Sequence, residues 1–311
     1  MVGFLQLPGF ASGRITTMVA QSMPVWPRLK FRELTGDFPR AMGPPATKGH
    51  NSHVWCAVTN SGTTVKLYRF DHGQSAGQMV FLLALLQEQG IRVPQILEFD
   101  DADGWVIAEW IDGQTLQPDA ARNPDTVIEI AELQASINTT RLSETQYRRK
   151  FSYFHDLVLP RYLNWTDKRF GLAVAGVNQT LVENLAYKWP ASPHAKHLRL
   201  TDPDFSIGNL IRDNDGGLAM IDTEFLTADA SAGFEIANFL ARTRLVSANF
   251  SRDYLSAYGL NAPTAPYLDE KEFWDACVAL KQVGKQAMNW RASDADLLRR
   301  IDSIGDTICA K

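Results

Sequence analysis

Cysteine is scarce in this chain. Cys56, Cys277 and Cys309 are odd in number, far apart, and lack the C-x-x-C spacing of a zinc or redox site. A disulfide scaffold is excluded, and a reduced, cytoplasmic protein is expected. Excess charge of one sign is missing as well: 31 basic against 35 acidic side chains leave a net charge of -4, so no global field calls for nucleic acid or an anionic membrane. No apolar run approaches the length of a membrane span. The segment Val2-Gly3-Phe4-Leu5-Gln6-Leu7 has no basic leader and is broken by Pro8 and Gly9, so no secretory signal is expected. Internal repeats and low-complexity tracts are absent too. What is present is ordinary globular composition, 45% apolar and 21% charged over 311 residues, enough for one large or two modest domains.

Residues 1–45 are rich in Pro and Gly and read as a lead-in with one strand around Lys30-Phe31-Arg32-Glu33-Leu34. Residues 46–115 alternate as strands with turns at Asn60-Ser61-Gly62 and Asp100-Asp101-Ala102-Asp103-Gly104, separated by an apolar helix over 75–89 that Gly90 stops. Residues 116–311 become helical, apart from a short strand around 197–200 and a hairpin over 209–221. The order predicts an α+β protein: a small β-rich lobe followed by a larger helical lobe.

The chemistry concentrates at Asp204-Phe205-Ser206-Ile207-Gly208-Asn209 and, thirteen residues after Asn209, at Asp222. Moving a γ-phosphoryl group asks a protein mainly for positioning and charge neutralisation. Asp204 is the candidate catalytic group, accepting or orienting the proton of an attacking hydroxyl. Asn209 and Asp222 offer the hard oxygen ligands that Mg²⁺ takes, and the hairpin between them brings both to one place. Lys66, on the second strand of the small lobe, is the candidate ligand of the α- and β-phosphates of ATP.

In this order, Thr64-Val65-Lys66-Leu67, Val106 through Gly113, Asp202-Pro203-Asp204 through Ile211, and Ile221-Asp222-Thr223-Glu224 resemble the aminoglycoside phosphotransferase and choline kinase family. The resemblance implies a two-lobed protein-kinase-like fold and an ATP- and Mg²⁺-dependent phosphotransferase acting on a small-molecule hydroxyl. It implies that the stretch 108–112 is the hinge, with the Glu109 carbonyl and the Ile111 N–H pairing with adenine. The loop 48–53, with Gly49 and Ser52, occupies the place of the phosphate-covering loop. Glu235 stands where the family usually has an Asp that braces the catalytic loop.

Two positions depart from the family. Asp202 replaces a His, and Gln78 stands where a helix carboxylate normally pairs with the Lys. These departures leave open a non-catalytic pseudokinase that serves as a nucleotide-binding scaffold. The stretch 141–170 holds seven basic against three acidic side chains, interleaved with aromatics such as Tyr153 and Trp165. As a pocket wall it disfavours a polycationic acceptor and suits a neutral or anionic one; as an ordinary helix it is simply a solvated face.

Overall fold

Helix α1 (Val25–Thr35) stands where the sequence suggests a strand. Its buried positions explain the difference: Pro27, Lys30 and Phe31 are enclosed and Leu34 packs against the same core, a spacing of one helical face rather than of alternating strand faces. Gly36, at φ 82, stops it and returns its N–H to the Arg32 carbonyl at 2.8 Å. This computed structural model describes residues 25–44, 54–69, 76–142, 153–191, 199–228, 231–243, 249–289 and 292–310. The loop carrying Gly49 and Ser52 lies outside them.

The chain divides into two units. Residues through Leu83 with Pro94–Ile111 form the first, and Ala84–Val93 with the chain from Asp112 onward form the second. The first holds an antiparallel sheet in the order β1-β2-β3-β5-β4, built from β1 (Ala41–Gly43), β2 (Val54–Val58), β3 (Thr64–Arg69), β4 (Ile96–Asp100) and β5 (Trp105–Glu109). Strand alternation sends Trp55, Ala57, Val65, Leu67, Trp105 and Ile107 to one face, where they pack with Phe31 of α1. Lys30 ties α1 to the end of β4 through ion pairs to Asp100 at 2.6 Å and Asp103 at 3.2 Å. The same alternation places Lys66 in register with Cys56 and Ala108, on the other face from Val65 and Leu67. Helix α2 (Ala76–Glu88) follows β3, with Gln78 in its first turn.

The second unit is mainly helical. A small sheet, β6 (Gly113–Thr115), β7 (Leu210–Asp213) and β8 (Leu218–Met220), carries the hairpin expected over 209–221. Gly113 is required there, since a Cβ would collide with the Arg212 carbonyl of β7. Around it lie α3 (Pro124–Thr139), a π-helical turn (Tyr153–Val158), α4 (Leu159–Phe170), α5 (Leu172–Ala191), α6 (Ala232–Thr243), α7 (Phe250–Asn261), the short α8 (Ala265–Leu268), α9 (Lys271–Asn289) and α10 (Asp294–Cys309). Helix α3 starts where Asn123 caps it by accepting from the Asp125 N–H, with Pro124 in the first turn. Gly233 lets α6 begin directly against Trp274 and the Pro266 carbonyl, leaving no room for a Cβ. That contact seats the helix that serves the site described next.

Candidate active site

One face of α6 holds three consecutive residues of the loop before the hairpin. Glu235, Asn238 and Arg242 are spaced i, i+3, i+7 and so lie on one side of the helix. Glu235 accepts the Asp202 N–H at 3.2 Å, the Asn238 amide donates to the Pro203 carbonyl at 2.9 Å, and Arg242 donates to the Asp204 carbonyl at 3.2 Å. The loop closes on itself with Phe205 N–H to Asp202 O at 2.9 Å, and the buried Phe205 ring sits edge-on to Phe239 of α6. The backbone of residues 202–205 is therefore fixed by side chains, not by a sheet.

Asn209 ends a single 3-10 turn (Ile207–Asn209), and its Nδ2 donates to the Asp204 carbonyl at 3.2 Å. An amide that spends its nitrogen this way keeps its Oδ1 for a cation. The hairpin then returns, and the Ile221 N–H donates to the Asn209 carbonyl at 2.8 Å. The next residue, Asp222, has φ 63, the only non-glycine in the left-handed region among the described residues. Asp tolerates that conformation better than most residues, and such strain persists only where the surroundings impose it. Asp204, Asn209 and Asp222 are thus gathered at one end of β7 and β8. No cluster of three His, Cys, Asp or Glu side chains able to hold a metal ion occurs among the described residues. The two oxygen donors Asn209 and Asp222 fit Mg²⁺, which binds few protein ligands and keeps waters and phosphates for the rest.

The Asp204 carboxylate receives three donors on one oxygen, Oδ1: Arg242 at 2.6 Å, Lys281 of α9 at 3.2 Å and the Tyr153 hydroxyl at 3.2 Å. The Lys281 ammonium also lies 4.9 Å above the Tyr153 ring. Burial pulls the Asp204 carboxyl upward, but Lys281 and Arg242 outweigh it and hold the group below the usual carboxylate range. The same burial, with Arg242 as a like charge, brings Lys281 down to about 8 against the opposing pull of Asp204.

Asp202 is fully enclosed. Its Oδ1 accepts the Asp204 N–H at 2.9 Å, while Oδ2 has no hydrogen-bond partner. Burial first, and then the charge of Asp204, push this carboxyl up to about 8, so it is neutral at pH 7 and braces the loop as an acceptor. The sign of its pH effect follows from linkage. The native state keeps a proton that the unfolded chain releases between the ordinary Asp range and about 8, so this residue makes stability fall as pH rises through that window. In Asp202→Asn the amide oxygen keeps the bond to Asp204 without a titrating group. Denaturation with EDTA present, at pH 5 to 8, should show the wild-type slope reduced in the variant by up to about 1.4 kcal/mol per pH unit. An unchanged slope would show that Asp202 is ionised in the fold.

A family comparison decides the ancestry: the model of the phosphotransferase enzyme family matches residues 44–273. The chain belongs to that family. Solved structures agree with this family's fold. Choline kinase LicA from Streptococcus pneumoniae superposes with a TM-score of 0.62 at 14% identity, over 91% of this chain and 98% of that one. A Plasmodium vivax ethanolamine kinase gives 0.60 at 13%, over 90% and 85%. Amicoumacin kinase hAmiN, solved with AMP-PNP and Ca²⁺, gives 0.58 at 12%, over 90% and 91%. No curated protein sequence matches the chain.

For this phosphotransferase family member, the α+β, kinase-like architecture is as expected. Lys66 lies on β3 with its ammonium 4.8 Å from the Tyr68 ring. Glu109 ends β5, its N–H bound to the Gln95 carbonyl at 2.8 Å, and Ile111 is buried two residues on. Sequence reasoning missed Arg242 and Lys281. Signals for both exist: Arg242 lies two turns after Glu235, and Lys281 interrupts the apolar stripe Trp274, Cys277, Gly284 of α9. A cation on the buried stripe of a helix needs a partner, and here it is Asp204.

Proposed function

We propose that this phosphotransferase is an ATP- and Mg²⁺-dependent kinase that moves the γ-phosphoryl group to a hydroxyl of a small molecule in the cytoplasm. The observation that carries the reading is an ionised Asp204 whose own carbonyl is clamped by Asn209, with Asp222 returned beside Asn209 by the hairpin. The acceptor oxygen forms its bond to the γ-phosphorus as the bond to the ADP oxygen breaks, and the hydroxyl proton passes to Asp204. Asn209 and Asp222 would hold Mg²⁺, which would supply charge neutralisation to the phosphates of the nucleotide. By the family resemblance Lys66 takes the α- and β-phosphates, the Glu109 carbonyl and Ile111 N–H take adenine, and the loop of Gly49 and Ser52 covers the phosphates. Residues 46–115, with α1 and β1 of the lead-in 1–45 packed against them, then form the nucleotide-binding lobe, and 116–311 the catalytic and acceptor lobe. The acceptor is neutral or anionic rather than polycationic.

A second reading, a nucleotide-binding scaffold without turnover, draws on Asp202 in place of His and on α2, which has no Asp or Glu before Glu88. One experiment separates the two. The protein is incubated with Mg·ATP and a cell metabolite extract, and products are followed by mass spectrometry beside calorimetric titration of ATP. Mg²⁺-dependent ATP binding with a newly phosphorylated compound supports the kinase. Binding without product supports the scaffold, and a folded protein that binds no ATP defeats both.

A further inference from the structure

The side chains around Asp204 carry a charge pattern that the kinase reading does not by itself require. Arg242 and Lys281 approach its Oδ1 from two different helices, and among the described residues no donor reaches Oδ2. Oδ2 is therefore the oxygen left to meet an acceptor hydroxyl. Both cations on Oδ1 remain partly open, with 35% of the Arg242 and 24% of the Lys281 side chain exposed. A third cation, Lys285, lies one turn further along α9 and acts on Lys281 as another like charge. The single carboxylate of Asp204 thus meets two cations brought to it by two different helices.

We propose that Arg242 and Lys281 are specificity-determining residues that bind an anionic group, a carboxylate or a phosphate, on an acceptor whose hydroxyl lies a few bonds away at Asp204 Oδ2. The inference rests on the kinase reading and deepens it by naming the acceptor class. Arg presents a planar fork that matches a carboxylate or phosphate in two-point fashion, and Lys adds a mobile point charge. An oxyanion docking here would share both cations with Asp204 and fix the hydroxyl against the free oxygen. A cationic acceptor would meet Arg242 and Lys281 as like charges, which disfavours its docking in a partly enclosed site. Transfer-state stabilisation of the γ-phosphoryl group by the same two cations is the competing role, and it differs in one respect: it would be blind to the charge of the acceptor.

The test uses the full-length protein with Mg·ATP and matched acceptors. Glycerate supplies a carboxylate, glycerol 3-phosphate a phosphate, glycerol neither, and ethanolamine and choline a positive charge; a metabolite extract widens the search. The expected product comes from an anionic hydroxyl compound, and the first two acceptors tell carboxylate from phosphate recognition. Arg242→Met and Lys281→Met should each raise the KM for that acceptor about tenfold or more, with a much smaller change in the KM for ATP. Arg242→Lys and Lys281→Arg should recover part of the loss, and thermal melts should confirm that all four variants fold. A neutral or cationic product overturns the proposal and leaves the kinase standing. So does an anionic product for which the variants lower kcat without moving the acceptor KM. ATP binding with no product from any source removes the kinase reading and this inference together.

Discussion

Asp204→Ala should lower the rate of phosphoryl transfer about a thousandfold, the middle of the range for losing a positioned proton acceptor. The effect is expected to be this large because nothing nearby can stand in. Asp202 is enclosed, protonated and engaged with the Asp204 N–H, and Glu235 is occupied by α3 and the loop backbone. Asp204→Asn should fall nearly as far: an amide keeps the shape but accepts a proton poorly, and it leaves Arg242 and Lys281 without their shared counter-charge. The fold should survive both changes. The ion pairs of Asp204 are partly exposed and screened, and the loop backbone stays held by Glu235, Asn238 and Asn209. ATP affinity measured by calorimetry should therefore change little while turnover falls by that factor. Turnover within tenfold of wild type in a folded Asp204→Ala protein would show that the proton leaves by another route. Because Lys281 and Arg242 hold the Asp204 carboxyl low, the acid limb of the kcat/KM profile should fall below the usual carboxylate range.

Local chemistry made much of this fold legible in the sequence. Gly62 at φ 89, Gly104 at φ 72 and Gly216 at φ 84 mark turns that alternating apolar strands flank, and a hairpin is defined within a few residues of its own turn. The α1 segment was misleading because Lys30 is buried there, so a charge that normally marks the solvent side sits with Phe31 on the core side. Besides Glu33 on the same helix, its partners Asp100 and Asp103 lie some seventy positions away. The base and metal-ligand candidates were visible because Asp204, Asn209 and Asp222 are close in the chain and joined by one hairpin. Arg242 and Lys281 reach the same carboxylate from sequence separations of 38 and 77 residues, which only packing of α6 and α9 brings together. Tyr153 could be noted as one aromatic among several, but its hydroxyl contact depends on the π-helical turn that carries it.

The largest loss of stability is expected at Glu235, which organises a buried polar network rather than an ion pair. Its Oε1 accepts from the Gln134 amide at 2.7 Å, and its Oε2 accepts from Asn138 at 2.8 Å and from the Asp202 N–H at 3.2 Å. Gln134 and Asn138 are one turn apart on α3, and their oxygens accept the hydroxyls of Tyr254 and Tyr258, one turn apart on α7. Two parallel chains, Tyr254 to Gln134 and Tyr258 to Asn138, thus end on a single carboxyl that also holds the loop of Asp204. Burial pushes that carboxyl well above its ordinary range, while Asn138 and Gln134 draw it back. Glu235→Ala strands three donors in an enclosed space and should cost on the order of 3–5 kcal/mol in chemical denaturation. Glu235→Gln is the sharper probe. The amide has one acceptor oxygen for donors now spread over two, so its NH₂ must face either Gln134 or the pair Asn138 and Asp202 N–H, at a cost of about 1–3 kcal/mol. Loss should also couple along the chains: in Glu235→Ala, adding Tyr258→Phe should cost less than it does in the wild type, because Asn138 is then free to rotate. Strict additivity of those two changes, or a Glu235→Gln protein as stable as wild type, would mean that α3 and α7 hold their places by apolar packing alone.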